Sequence, residues 1–136
     1  MDCLFCEIIA GRSPSYKVYE DETAFAFLNI GPVCKGHTLV VPKMHAQNLS
    51  VGSRDDAIHI MAVVHDLAPR IMAALGATGY NLGMNHGKSA GQEVMHTHVH
   101  IMPCYDGLPR TSAKAHPSPE ELEKVSKAIV DNSATS

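Results

Sequence analysis

The sequence predicts one domain built from about five β-strands and one principal helix. Three observations lead to it. The 136 residues suit a single core that buries roughly two thirds of the unfolded surface. The first third of the chain alternates β-rich runs with turn signals. At Ser53 the apolar period then changes from that of strands to that of a helix.

Taken in order, "EIIAGRSPSYKVYEDETAFAFLNIGPVCKGHTLVVPK" opens with a short helical turn. Val18 to Glu20, Ala24 to Ile30 and His37 to Val41 follow as strands, separated by "EDE" and "GPVCKG", which predicts an antiparallel meander. From Ser53 onward Ile58, Met61, His65, Ala68, Met72 and Leu75 recur at three and four residues, the spacing of one helix face. Ser53 and Asp56 stand in capping-box positions, and Gly76 and Gly79 supply the stop. Pro69 removes an amide donor inside this helix, so a kink is expected over 65–69.

Two further strands, Tyr80 to Asn85 and Thr97 to Met102, flank the Gly-rich loop "HGKSAGQEVM". A second helix closes the chain: Ser118 caps it, Pro119 suits its first position, Glu121 lies three after the cap, and Leu122, Val125 and Ile129 form its apolar stripe. The tail "NSATS" is expected to fray. No repeat, low-complexity tract or domain boundary is evident.

Hydrophobic residues make up 45% of the chain and charged residues 18%, which excludes disordered and fibrous classes. The net charge of −3, with lysines and arginines scattered, argues against nucleic acid or an anionic membrane as partner, so any phosphate contact is local. No apolar run approaches the roughly 20 residues of a membrane span, and "MDCLFCEIIAG" lacks a basic leader region. The expected location is the cytoplasm. Cys3, Cys6, Cys34 and Cys104 are then reduced thiols, with Cys34 and Cys104 as small buried hydrophobes.

Six of the nine histidines, His37, His45, His86, His96, His98 and His100, crowd into two short segments. In an extended chain His96, His98 and His100 share one face while Thr97, Val99 and Ile101 point away. A buried imidazole must find partners for its nitrogens, so three in register need a cause beyond packing. Two chemistries fit: a His-x-His strand can chelate zinc given further ligands, or one ring can act as nucleophile while its neighbours handle charge and protons. Mutual repulsion keeps at least one ring neutral near pH 7, and a backbone carbonyl on its other nitrogen would fix the tautomer.

The loop Asn85 to Glu93 brings glycines, amides and a carboxamide beside His98, which suits an oxyanion or phosphate. Its "GKS" is no P-loop, because the position five before Gly87 is Leu82. At the N-terminus Cys3-Leu4-Phe5-Cys6 has the spacing of half a zinc site, and the redox version of that motif would follow a strand.

Taken together, "GHTLVVPKMH" from Gly36 to His45 and "AGQEVMHTHVHIMP" from Ala90 to Pro103 resemble the histidine triad (HIT) superfamily of nucleotide-binding hydrolases and transferases. Its signature is His-φ-His-φ-His-φ-φ, with φ apolar. The resemblance covers about residues 3–105, leaving a C-terminal loop and helix at about 106–131. It implies an α+β fold with a five-stranded antiparallel sheet and a principal helix, forming a two-fold homodimer with a continuous sheet. Residues 1–136 would be one such domain.

The resemblance also implies roles. His98 would attack the α-phosphorus of a nucleotide to give a covalent nucleotidyl-histidine, later hydrolysed. His100 would contact the α-phosphate and leaving group, His37 would support it from behind, and His96 completes the catalytic set. Asn85, Gly91, Gln92 and Glu93 would lie on the phosphate side, and Phe5, Ile8, Phe27 and Ile30 would form the base pocket. Asn29 stands where an aspartate usually accepts the ribose hydroxyls. In the CxxC branch, similar to the Hint-type nucleotide hydrolases, Cys3 and Cys6 share a structural zinc with His45 and His96, and a metal-bound His96 could not donate a proton. Thr97, Glu93 and Cys104 depart from the family pattern, Glu93 near the scissile phosphate and Cys104 in place of a frequent arginine that would contact phosphate or the dimer partner.

The implied activity is adenosine 5'-monophosphoramidase-like: hydrolysis of a purine nucleotide conjugate or nucleoside phosphoramidate, releasing AMP or another nucleoside monophosphate. Dinucleoside polyphosphate hydrolysis, a low-turnover nucleotide-binding regulatory module and a metallohydrolase with the triad as zinc ligands are the alternatives.

Overall fold

The structure, a computed structural model, describes residues 3–134. The elements run α1 (Leu4–Ile9), β1 (Lys17–Glu20), β2 (Ala24–Leu28), β3 (Thr38–Pro42), α2 (Arg54–Leu75), β4 (Gly79–Gly83), β5 (Val99–Cys104) and α3 (Pro119–Ala134), with a single 3₁₀ turn at Lys88–Ala90. The strands form one antiparallel sheet in the order β1-β2-β3-β5-β4. This is the α+β architecture with a five-stranded sheet that the resemblance implies.

Both faces of the sheet are covered, which is why all five residues of β2 and of β3 are buried. On one face Ala24, Ala26, Leu28, Val40, Val99 and Ile101 pack against the apolar stripe of α2 and against Leu122 and Ile129 of α3. On the other, Phe25, Phe27, Leu39 and Val41 pack against Phe5 and Ile8 of α1. Alternation along a strand makes this division, because successive side chains point to opposite faces. It also decides where the histidines go: His100 pairs with Leu39 across the ladder and so lies on the α1 face, opposite Val99 and Ile101.

The ends of α2 follow the sequence. The Ser53 hydroxyl accepts from the Asp56 amide at 3.2 Å, and Gly76 closes the helix with φ of +75°. The kink expected at Pro69 does not interrupt the helix, which continues through it. Contrary to the expectation that no segment is span-like, α2 is 22 residues long and apolar enough by composition to cross a membrane. Its Ile60, Val63, Val64, Leu67, Ala68 and Ile71 are buried, however, and the stripe they form lies on the sheet. Gly36, which leads into β3, has φ of +86°, and a Cβ there would run into Leu75. The chain can turn that close to α2 only without a side chain.

Several boundaries differ from expectation, among them β2, which ends at Leu28 rather than Ile30, and β3, which is Thr38–Pro42 rather than 37–41. β4 ends at Gly83 rather than Asn85, and β5 begins at Val99 rather than Thr97, so His96 and His98 lie in extended chain just before the strand. The cause is Pro42, which has no N–H to extend the β3–β5 ladder and whose carbonyl is taken by the His96 ring. Thr97 instead donates its amide to Ala46 O at 2.9 Å. At the other end α3 runs through Ala134, so Asn132 to Ala134 of the tail expected to fray are helical. Asn132 donates to Arg70 O on α2 at 3.4 Å, while Thr135 and Ser136 lie outside the described residues.

Candidate active site and metal centre

Cys3, Cys6, His45 and His96 converge from α1, the loop after β3 and the segment before β5, with their ligand atoms all within 4.8 Å of one another. The His96 Nδ1 lies 3.3 Å from Cys3 Sγ and 3.5 Å from Cys6 Sγ, and the His45 Nδ1 lies 3.4 Å from Cys6 Sγ. Two thiols and two imidazoles are the donor set of a closed tetrahedral zinc site. The fully buried His96 ring donates from Nε2 to Pro42 O at 2.7 Å, which directs the lone pair of Nδ1 at the sulfurs. In the chain by itself, burial and the neighbouring Cys3 push the Cys6 thiol up to about 11. Only a cation would make that thiol a thiolate at neutral pH, which is what zinc supplies. These residues fit a structural zinc that ties α1 to the sheet.

The next histidine points elsewhere. His98 donates from Nδ1 to the carbonyl of His96 at 2.7 Å, which leaves Nε2 as the unprotonated nitrogen of a neutral ring. Burial holds its pKa below the ordinary histidine value. The Phe5 ring packs edge-on against it, centroids 5.1 Å apart, so the α1 that carries the thiols also fixes the His98 ring.

His100 and His37 form a pair with Nδ1 and Nε2 2.9 Å apart. The Val33 amide donates to His37 Nδ1 at 3.2 Å, so the His37 proton sits on Nε2 and is donated to His100. His100 in turn carries its own proton on Nε2. Burial, reinforced by each ring's histidine neighbour, pushes both down to about 4. At neutral pH the set therefore offers one nucleophilic nitrogen and one N–H donor, with no ring charged.

These groups open into a cavity of about 590 Å³. Of the residues expected from the sequence, Phe5, Ile8, Phe27, Asn29, Ile30, His37, Asn85, Gly91, Glu93, His98 and His100 all line it. Phe5 and Phe27 pack at 5.3 Å and 70° on its apolar side, and Ile30 stands at the rim, 68% exposed. Asn29 Oδ1 accepts from the Gly31 amide at 2.8 Å, which leaves its Nδ2 free to donate where an aspartate could only accept.

The exceptions are His96, whose ring faces the two thiols, and Gln92. The Gln92 carboxamide accepts from Gly87 N and donates to Gln47 O and Val94 O, so it clasps the loop rather than lining the cavity. A buried amide must satisfy itself locally, and these carbonyls are nearest. Asn85 is likewise tied, donating to Ala90 O at 2.5 Å.

Sequence reasoning missed Lys114, which comes from the irregular chain after β5, lines the same cavity and lies 3.6 Å from Glu93. Lys88, the lysine nearest to Glu93 in the sequence, is not among the lining residues. Cys34 and Cys104 are half-buried rather than buried, and both line a separate cavity of about 930 Å³ with Tyr105 and Arg110. The Tyr105 hydroxyl donates to Lys35 O at 2.7 Å, and both residues line that cavity.

The comparisons with known proteins agree with this geometry. The HIT domain family matches residues 10–107. "Protein hit" of Bacillus subtilis is 42% identical over 141 residues, covering 99% of this chain and 97% of that protein. Adenylylsulfatase HINT3 of Arabidopsis thaliana is 38% identical over 102 residues, 75% of this chain and 52% of that longer protein. A hypothetical histidine triad nucleotide-binding protein of Sulfolobus tokodaii superposes with a TM-score of 0.91 at 36% identity, covering 98% and 93% of the two chains. A Zn-bound histidine triad family protein of Mycobacterium smegmatis superposes with a TM-score of 0.82 at 32% identity, covering 100% and 99%. With its neutral triad, its four-ligand zinc centre and its two-faced sheet, the chain belongs to the HIT family of nucleotide-binding histidine triad hydrolases.

Proposed function

We propose that the protein hydrolyses nucleoside 5'-phosphoramidates at the α-phosphorus, with His98 as nucleophile. The observation that carries this reading is the pair of tautomers: His98 keeps a lone pair on Nε2 because Nδ1 is held by a backbone carbonyl, and His100 keeps an N–H on Nε2 because Nδ1 is held by His37. In the first step His98 Nε2 bonds to phosphorus and the P–N bond breaks, the departing nitrogen taking the Nε2 proton of His100 to leave as the amine. In the second, water attacks phosphorus and breaks the His98–phosphorus bond, one of its protons returns to His100 Nε2, and the nucleoside monophosphate is released. The base would lie against Phe5, Ile8 and Phe27, and Asn29 would meet the ribose.

The zinc in this reading is structural, since His96 is both its ligand and the residue whose carbonyl orients His98. The direct assay is incubation with adenosine 5'-phosphoramidate. Release of AMP and ammonia at many turnovers per protein is the expected result. Tight AMP binding with no turnover would replace the enzyme by a nucleotide-binding module.

The homodimer belongs to the same proposal. β4 is a sheet edge, and the Tyr80 and Leu82 side chains on it are exposed beside Ile58 and Met61 of α2. Leu82, Ile58 and Met61 line one apolar depression of about 600 Å³. An edge strand with an apolar flank is a ready pairing surface. Light scattering is expected to give twice the chain mass for the wild type and a monomer for Leu82→Glu, and a wild-type monomer would overturn the dimer.

A further inference from the structure

Glu93 and Lys114 carry the only fixed charges among the described residues that line the cavity. Their ion pair is loose, at 3.6 Å, with side chains 78% and 59% exposed, so solvent screens it and a stronger partner can displace it. Lys114 is nevertheless held at the rim. The next residue donates its amide to Pro32 O at 2.7 Å, and the Lys114 stem runs alongside Gly31. Both line the cavity together with His100 and His37, which places the pair on the leaving-group side of the reaction proposed above.

The chemistry of the site follows from what else is there. Lys114 is the one fixed cation among the described residues that line the cavity, and so the one placed to meet an anionic α-phosphate. Once it does, Glu93 stands unpaired next to the departing group, where it attracts positive charge and repels negative charge. We propose that Glu93 and Lys114 are the specificity pair of this site. Lys114 takes the α-phosphate, and Glu93 selects leaving groups that carry an ammonium over those that carry a sulfate, carboxylate or second phosphate. This rests on the phosphoramidate reading and adds to it the charge class of the leaving group.

The test uses three adenosine 5'-phosphoramidates whose leaving amine ends in an ammonium, a methyl group or a carboxylate, with adenylyl sulfate as a fourth substrate. The wild type is expected to favour the ammonium over the carboxylate by about tenfold in kcat/KM, less in high salt, as a partly exposed charge contact allows. Glu93→Gln is expected to bring that ratio close to one and to raise the rate on adenylyl sulfate. Lys114→Gln is expected to lower kcat/KM on all four by about tenfold while the ratio persists. An unchanged ratio in Glu93→Gln overturns the assignment.

Binding of AMP, read by calorimetry, separates this failure from failure of the enzymatic reading. Lys114→Gln is expected to weaken AMP binding about fivefold and Glu93→Gln to tighten it. If the wild type turns over none of the four substrates, the phosphoramidate reading falls. The AMP affinities then decide the pair alone, and equal affinities in all three proteins overturn it.

Discussion

Replacing His98 by alanine is expected to lower turnover of an adenosine phosphoramidate by at least about 10⁴-fold, the scale on which enzymes lose rate when a covalent nucleophile is removed. The loss should fall on kcat, with KM changed little, because in the proposed binding mode the base and ribose rest on the apolar wall and Asn29 rather than on this ring. The protein should still fold. His98 is 7% exposed and touches Phe5 edge-on, so the truncation leaves a small gap costing about 1–3 kcal/mol. The expected result is therefore a folded protein with a modestly lower melting temperature that binds AMP and does not cleave. His100→Ala should behave differently: it removes the leaving-group donor but leaves the nucleophile, so the defect should shrink for amines that depart without help. A His98→Ala protein with wild-type rate would remove the ring from the chemistry.

The second large effect is on stability. Withdrawing zinc with a strong chelator, or substituting Cys3 by serine, is expected to cost about 4 kcal/mol and lower the melting temperature by roughly 12 °C. The argument is geometric. α1 is only six residues long and is joined to the sheet by Phe5 and Ile8 on one side and by the thiols on the other. Without the ion nothing draws the four ligands together, and Cys6 reverts to a thiol whose pKa burial pushes up to about 11. Activity below the new melting temperature should fall by less than about tenfold, since the metal holds the wall behind His98 and does not touch substrate. Immediate and complete loss of activity on chelation, with the fold intact, would instead make the zinc catalytic.

Much of this was legible in the sequence because the signals were local. Ser53 with Asp56 announced the start of α2, Gly76 its end, and Ser118 with Pro119 the start of α3, each because a cap is a contact between near neighbours. Alternation alone places His96, His98 and His100 on one face. The limits were set by long-range contacts. Nothing near Gln92 in the sequence says that its amide will be claimed by Gln47, 45 residues away, and nothing near Lys114 says that it will return to Glu93. The β5 boundary depended on Pro42, a residue of another strand, taking the His96 ring as its partner. The zinc centre lay between these cases. The CxxC was local, but its histidines came from two other segments, and only the family resemblance supplied them.

The division of labour among the histidines rests on one species, a nucleoside monophosphate bonded to His98. Rapid mixing with an adenosine phosphoramidate, quenching in alkaline denaturant to spare the acid-labile P–N bond, and peptide mass spectrometry would detect it. The prediction is a transient adenylyl adduct on the peptide spanning residues 96–100, assigned by fragmentation to His98, formed and lost at rates consistent with turnover. It should be absent from His98→Ala. Full turnover with no adduct at any time, or an adduct on His100 instead, would contradict the account.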